Sequence, residues 1–295
     1  MTVERSSLLD RCTFPPAGTP VRCGVSGGAD SSALLILAVA AGCEVTAVHV
    51  DHGLRPGSDR ESEVVARTAA RFGAGFEAHR VKVEPGPNLE ARARVARAGV
   101  LGHGALVGHT ADDQAETLLL ALLRGAGPAG LAGADPSCRP ILALRRAETH
   151  ELCRAEGIEV VDDPSNRDPA FRRNRVRHEL LPLLDDIAER DVAGVLARSA
   201  ALFGEVAGVL DELASAVDPR CAAELAIAPR PVAAHAIRTW VMSETGTSHP
   251  PDSAVIDRVL AVATGRHRAC ELPGGWRLSR HQGRLRLHVP GSVSG

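Results

Sequence analysis

The feature that most constrains this chain is a six-residue turn, Ser26-Gly27-Gly28-Ala29-Asp30-Ser31. Before it, Val21–Val25 reads as a short apolar strand; after it, Ser32–Ala41, rich in Leu and Ala, reads as a helix. The two glycines let the backbone take φ > 0 and approach a ligand closely. The N–H groups and dipole of the following helix favour an anion. Ser26, Ser31 and Ser32 add hydroxyl donors. The turn has neither the Gly-Lys-Ser/Thr ending of a Walker A loop nor a dinucleotide fingerprint. Its unusual member is Asp30, a carboxylate at a phosphate site. Unneutralised, it would repel phosphates, so its expected work is to hold Mg2+ against them.

The same alternation continues. Glu44–Val50, Phe76–Val83 and Ala105–Gly108 read as further strands. Between and after them, helices are expected at Ser58–Phe72, opened by a Ser58/Glu61 capping box, at Leu89–Ala98, capped by Asn88, and at Ala111–Arg124. This pattern argues for an α/β fold, a parallel doubly wound sheet with helices on its faces. Gly125–Pro140 is rich in Gly and Pro and reads as loop. Helices are expected again at Arg146–Glu156 and from Phe171 to Leu184, with the polar loop Asp162–Pro169 between them. From Asp191 to about Thr264 only helical patterns are visible, and Cys270–Val289 reads as a β-hairpin turning at Gly274-Gly275 or at His281–Gly283. The expected division is a nucleotide domain over 1–188 and a smaller, mostly helical domain over 189–295.

Composition narrows the function. With 34 basic and 36 acidic side chains the net charge is −2. Five Phe, two Trp and no Tyr leave too few rings to bind nucleic acid mainly by stacking. The N-terminus has no apolar signal segment, and the longest unbroken apolar run, Ala33–Ala41, is far short of the roughly 20 residues that span a bilayer. The seven cysteines form no C-x-x-C pair, so a reduced, cytoplasmic protein is expected. Arginine is concentrated at Arg172, Arg173, Arg175 and Arg177, and again over 266–288, where six Arg face the single acid Glu271. Each cluster reads as a polyanion contact or as ordinary solvated surface.

Asp112, Asp113 and Glu116 open the helix after the fourth strand at spacings that share a face. First-turn acids often only complement the helix dipole, but here three meet at the carboxyl end of a parallel strand, where open α/β sheets bind ligands. His109 just before them reads equally as a base or as a structural histidine. His49 and His52 flank Asp51 after the second strand, and two histidines without a third ligand favour nucleotide contact over metal.

The turn SGGADS resembles the S-G-G-x-D-S loop of the PP-loop ATP pyrophosphatases. HVDHGLR (His49–Arg55), GHTADDQAETLLLALLRGAGPAGLAG (Gly108–Gly133), RPIL (Arg139–Leu142) and DDPSNRDPAFRRNRVRHELLPLL (Asp162–Leu184) follow in order. The ordered set is similar to the tRNA(Ile)-lysidine synthetase family over roughly residues 20–185, and Leu272–Leu287 resembles that family's tRNA-contacting appendage.

The resemblance implies an ATP-dependent ligase. It would adenylate the carbonyl oxygen at carbon 2 of the wobble cytidine in the CAU-anticodon isoleucine tRNA. The ε-amine of free L-lysine would then displace AMP. ATP would lie on Ser26, Gly27, Gly28, Ala29, Asp30, Ser31, Ser32, His49 and His52, with Mg2+ on Asp30. Asp113 and Glu116 would recognise the lysine ammonium. Arg175, in the N-R-x-R segment Asn174–Arg177, is the expected phosphate contact, and Asp30, Asp113, Glu116 and Arg175 form the expected catalytic set. Arg172, Arg173, Arg177, Arg280, Arg284 and Arg286 would contact tRNA, the last three by even spacing on one hairpin face. Arg92 and Arg94 match the family's E-A-R-x-R segment, but the stretch before Ala105 is shorter than typical. A homodimer is compatible with this reading. The competing readings are a PP-loop tRNA thiolase, which would need paired cysteines or an iron–sulfur ligand set, an amidotransferase-fed synthetase, and a non-enzymatic ATP- or RNA-binding module.

Overall fold

The computed structural model describes residues 4–51, 53, 59–81, 89–247 and 250–290. His52, Ser58, Lys82 and Asn88 lie outside the described residues, as does the side chain of Arg94. The chain packs into two compact units, Met1–Gly204 and Glu205–Gly295.

In the first unit, α1 (Arg5–Leu9) precedes β1 (Pro20–Gly24), α2 (Ala29–Ala40), β2 (Glu44–Asp51), α3 (Asp59–Arg71), β3 (Gly75–Arg80), α4 (Leu89–Leu101), β4 (Leu106–Val107) and α5 (Ala111–Leu122). The four strands form one parallel sheet in the order β3-β2-β1-β4. The chain runs outward from β1 on one side and then returns to its other side. The switch point therefore lies between the carboxyl ends of β1 and β4, where such sheets take ligands. The next helices are α6 (Pro128–Leu131), α7 (Arg146–Ala155), α8 (Arg172–Arg175) and α9 (Leu181–Ala188), with a π-helical turn over Val176–Leu180. That turn meets Pro182, which has no N–H to continue an α-helical ladder.

Helix α2 has no polar stripe because it packs against β1, β2, α1 and α7. Leu34, Leu35, Ile36 and Leu37 are all buried in the main core with Val45, Ala47, Ile141, Leu144 and Leu152. The helix begins at Ala29, earlier than the sequence pattern suggested, so Asp30 sits in its first turn. Strand β4 is shorter than expected because Gly108 has left the ladder to close on the glycine turn. A Cβ there would lie 2.6 Å from the Asp30 carbonyl oxygen.

The first unit runs past residue 188, where the sequence placed a boundary, into α10 (Ala193–Ser215). Val192 and Ala193 join a cluster with Ala115, Leu119, Val176 and Leu181, and Ala200 packs with Leu118, Ala121 and Leu131. By length and composition α10 could cross a membrane; Ala193, Ala200, Ala207 and Ala214 along it are buried, whereas Leu202, Val206, Val209 and Leu213 are exposed.

The second unit holds the end of α10, then α11 (Ala222–Ile227), α12 (Arg230–Thr245) and α13 (Ser253–Ala263), followed by β5 (Ala269–Glu271), β6 (Arg277–His281) and β7 (Arg284–His288). The strands make a three-stranded antiparallel sheet rather than a lone hairpin. The β6–β7 turn is Gln282-Gly283, at φ 49° and 75°, the left-handed pair of a two-residue hairpin. Leu278 and Leu285 join Trp240, Ile237, Ile256 and Val259 in this unit's core.

Candidate active site

The glycine turn is knitted by its own serines. Ser31 Oγ accepts from the Ser26 N–H at 3.1 Å and donates to the Gly28 carbonyl at 3.0 Å. Gly27 takes φ 86°, and a Cβ there would lie 2.8 Å from Val161 Cγ2. Its carbonyl accepts from the Val161 N–H at 3.0 Å. The turn is thus clamped between α2 and the segment after α7, and only glycine fits. Ser31 and Ser32 are buried, and Gly28 is the N-cap of α2.

The two halves of the predicted site meet through a residue that the sequence did not single out. Arg146, the first residue of α7, donates Nε to Asp30 at 3.2 Å, Nη1 to Glu116 at 3.1 Å and Nη2 to Asp113 at 2.9 Å. Thr149, one turn on, donates to the other Asp30 oxygen. Asp113 Oδ2 accepts from the backbone N–H and hydroxyl of Thr110 at 2.9 and 3.0 Å, which orients it at the head of α5. Asp112 faces elsewhere: it takes the Arg145 guanidinium at 3.0 and 2.9 Å and the Arg146 backbone N–H at 2.8 Å. Its carboxylate pins α7 to α5.

Glu116 is fully buried and surrounded by arginine. Arg177 grips it bidentately at 2.7 and 3.1 Å, and Arg173 Nε donates at 2.7 Å. Arg173 Nη2 also reaches Asp113 at 3.4 Å. Residues 173 and 177 are one helical turn apart and share a face; residue 175 lies on the other side. Arg175, the expected phosphate contact, is exposed and pairs with Glu179 at 2.8 Å. The catalytic set read from the sequence therefore meets as Asp30, Asp113 and Glu116, with Arg173 and Arg177 where Arg175 was expected. Arg172 is exposed too. Asn174 ties the preceding loop down, donating to the Ser165 and Asp168 carbonyls at 2.8 and 2.9 Å.

Charge states follow from these contacts. Burial raises Asp30, and Arg146 and Thr149 only partly offset it. Burial also pushes Asp113 and Glu116 upward, but Arg146 with Arg173 holds Asp113 below the ordinary carboxylate range, and Arg177 with Arg146 does so for Glu116. Burial lowers His109 to about 4. Its Nδ1 accepts from Arg139 Nε at 2.8 Å, so its proton sits on Nε2 and no ring lone pair is open to act as a base.

His49 is buried with Nδ1 on the Val25 carbonyl at 3.0 Å, and its Nε2 has no protein partner. Nε2 is thus an acceptor awaiting a donor at the end of β2. Arg92 likewise buries Nε and Nη2 without protein partners. Gln114 holds the glycine loop, donating to the Ala132 carbonyl at 2.9 Å and accepting from the Ala134 N–H at 2.8 Å. Thr117 donates to the Asp113 carbonyl at 2.7 Å. Among the described residues, no group of three or more His, Cys, Asp or Glu side chains is placed to hold a metal ion by itself. Asp30 is still a suitable hard ligand for a Mg2+ ion that brings phosphate oxygens with it.

In the second unit, β6–β7 pairing sets Arg284 opposite His281 and Arg286 opposite Ser279. Arg280 opposes Leu285 and so lies on the other face, contrary to the even-spacing expectation. The two-residue turn reverses parity between the strands. Arg280 Nη1 instead donates to the Ala263 carbonyl at 2.9 Å and caps α13. Arg284 pairs with Asp218 at 2.8 Å.

Residues 7–184 match the family model described as PP-loop domain. A tRNA(Ile)-lysidine synthase of Nocardia farcinica is 39% identical over 297 residues, covering 93% of each chain. The chain belongs to the tRNA(Ile)-lysidine synthase family. A relative with the same description from Salinispora arenicola is 40% identical over 98% of this chain and 96% of its own. Among solved structures, the U34-tRNA thiolase NcsA from Methanococcus maripaludis, with its [4Fe-4S] cluster, superposes with a TM-score of 0.56. It is 15% identical over 68% of this chain and 78% of that one, a likeness of fold alone.

Family membership makes the chain a PP-loop, ATP-using ligase of the tRNA-modifying class. The residue that the sequence missed, Arg146, had one usable signal. It follows the RPIL segment by four positions and opens a helix, so it enters from the same side as the motif.

Proposed function

We propose that the chain joins free L-lysine to carbon 2 of the wobble cytidine in CAU-anticodon tRNA(Ile), consuming ATP and releasing pyrophosphate and AMP. The observation that carries this is the convergence of the phosphate-loop acid Asp30 with Asp113 and Glu116 around one cationic group. An ATP loop at the end of β1 and a buried carboxylate pair at the end of β4 are what such a two-step ligation requires. The cytidine carbonyl oxygen attacks the α-phosphate and pyrophosphate departs. The lysine amine then attacks carbon 2, AMP leaves with that oxygen, and the amine loses a proton.

The glycine turn and the head of α2 hold the phosphates. Mg2+, held by Asp30 and phosphate oxygens, would neutralise charge on the leaving pyrophosphate. Asp113 and Glu116 stay ionised and suit the lysine ammonium. Arg173 and Arg177 stand ready for charge on the departing AMP. His49 Nε2 accepts a hydrogen bond from the nucleoside. Arg277, Arg284 and Arg286, on the polar face of the terminal sheet, contact tRNA phosphates, and residues 189–295 serve that role. Free thiols and these substrates suit the cytoplasm.

Incorporation of labelled lysine into unmodified tRNA(Ile), with ATP, tests the reading. Incorporation with equimolar pyrophosphate release is expected. ATP and tRNA binding without incorporation would favour a non-enzymatic module.

A further inference from the structure

We propose that Arg146 is an internal cation that occupies the lysine ammonium's place until nucleotide arrives, so that ATP admits lysine. The proposal rests on the lysine-ligation reading above. Its basis is one guanidinium shared among three acids from two strand ends: Asp30 in the phosphate loop, and Asp113 and Glu116 after β4. Arg173 and Arg177 bind the second group only. Among the described residues, Arg146 alone reaches both halves.

The geometry makes this cation movable. The Arg146 side chain keeps 20% of its surface exposed, whereas Glu116 keeps none. Asp112 anchors the Arg146 backbone N–H, so the side chain can rotate while α7 stays in place. The guanidinium spans the acids with separate N–H groups, one to each. An ammonium is a smaller point charge and fills the Asp113–Glu116 pair once the guanidinium has gone.

The sharing also supplies the coupling. The counter-ion that phosphates bring to Asp30 competes for the carboxylate that Arg146 Nε holds, and the phosphates compete for the guanidinium itself. Breaking that bond removes one of three anchors and weakens the hold of Arg146 on the other two. Lysine affinity then rises, and by reciprocity bound lysine raises nucleotide affinity.

The test is calorimetry of L-lysine binding to the full chain, with and without a non-hydrolysable ATP analogue and Mg2+. L-Norleucine, which lacks the side-chain ammonium, is the control. Wild type should bind lysine weakly alone and roughly tenfold or more tightly with nucleotide, the scale of one charge-assisted hydrogen bond. Arg146→Met should bind lysine tightly without nucleotide, gain nothing when it is added, and still reject norleucine. Arg146→Lys should restore nucleotide dependence. Lysine binding to Arg146→Met no tighter than to wild type would overturn the proposal, as would norleucine binding equally well. If Arg146→Met does not fold, crystals of wild type soaked with lysine and nucleotide decide. The ammonium on Asp113 and Glu116 with Arg146 swung out supports displacement; lysine elsewhere with Arg146 still bridging overturns it. Wild-type lysine incorporation into tRNA(Ile) is scored separately. If incorporation occurs and the coupling does not, this inference fails alone.

Discussion

Arg139 Nε donates to Nδ1 of His109 across 2.8 Å, fixing this half-buried ring as a neutral Nε2–H tautomer. With its folded pKa lowered to about 4 and the unfolded value near 6.5, the unfolded chain binds the proton more readily between those limits. Stability from this group is complete above about pH 6.5 and is lost as pH falls towards 4. Urea unfolding of wild type should show a loss of about 2 kcal/mol from this residue between pH 7 and pH 5. His109→Gln, whose carbonyl still accepts from Arg139, should be that much less acid-sensitive. Equal sensitivity in both proteins would show that the ring is not held neutral.

Glu116→Gln strands Arg146, Arg173 and Arg177 beside a neutral amide. Removing one member of a buried ionic cluster costs about 3–5 kcal/mol, which denaturant midpoints will show at neutral pH. In the folded fraction, the KM for lysine should rise while tRNA-dependent pyrophosphate release persists. An unchanged lysine KM would restrict Glu116 to a structural role.

Arg175→Ala and Arg177→Ala form a matched pair on opposite sides of one helix. Arg175 pairs with Glu179 at the surface, and exposed pairs contribute little. Its removal should leave stability and adenylation unchanged. Arg177→Ala breaks the bidentate grip on Glu116 and should lower kcat/KM for lysine incorporation by roughly tenfold or more. Equal effects would return Arg175 to the site.

The sheet, the phosphate turn and the acid pair were legible because each is local. Gly27 is required by its own φ, and Asp113 and Glu116 share a face by helical spacing alone. Arg146 was not legible, because its bond to Asp30 spans 116 positions and depends on how α7 packs on α2. Choosing among Arg173, Arg175 and Arg177 needed the helical phase relative to Glu116, which N-R-x-R does not encode. Arg280 was placed on the wrong hairpin face because parity depends on turn length, and two turn positions were open. His49 was legible as a strand-end residue, whereas its unpartnered Nε2 came only from packing.

That parity yields a clean separation on the terminal sheet. Arg284→Ala with Arg286→Ala should lower tRNA affinity and reduce the slope of log K against log salt by roughly 0.7–0.9 for each phosphate left without its arginine. Arg280→Ala should leave the slope alone and cost the second unit about 1 kcal/mol, because its bond to the Ala263 carbonyl disappears. Titrating tRNA at several salt concentrations, beside thermal melts, separates the two. A changed slope for Arg280→Ala would place that side chain on nucleic acid.

Arg146, Arg173 and Arg177 stand against Asp30, Asp113 and Glu116, equal in number and opposite in sign. Such a cluster casts almost no field beyond its walls. Little in this cluster therefore draws a polyanion from a distance, and on the proposed reading guidance of tRNA would fall to the basic surfaces outside it. Arrival and turnover should then respond differently to ionic strength. Added salt should slow association steeply as the Debye length shrinks, while single-turnover chemistry on pre-bound tRNA stays nearly constant. The reaction centre would be deaf to the ionic conditions that govern how often it is visited.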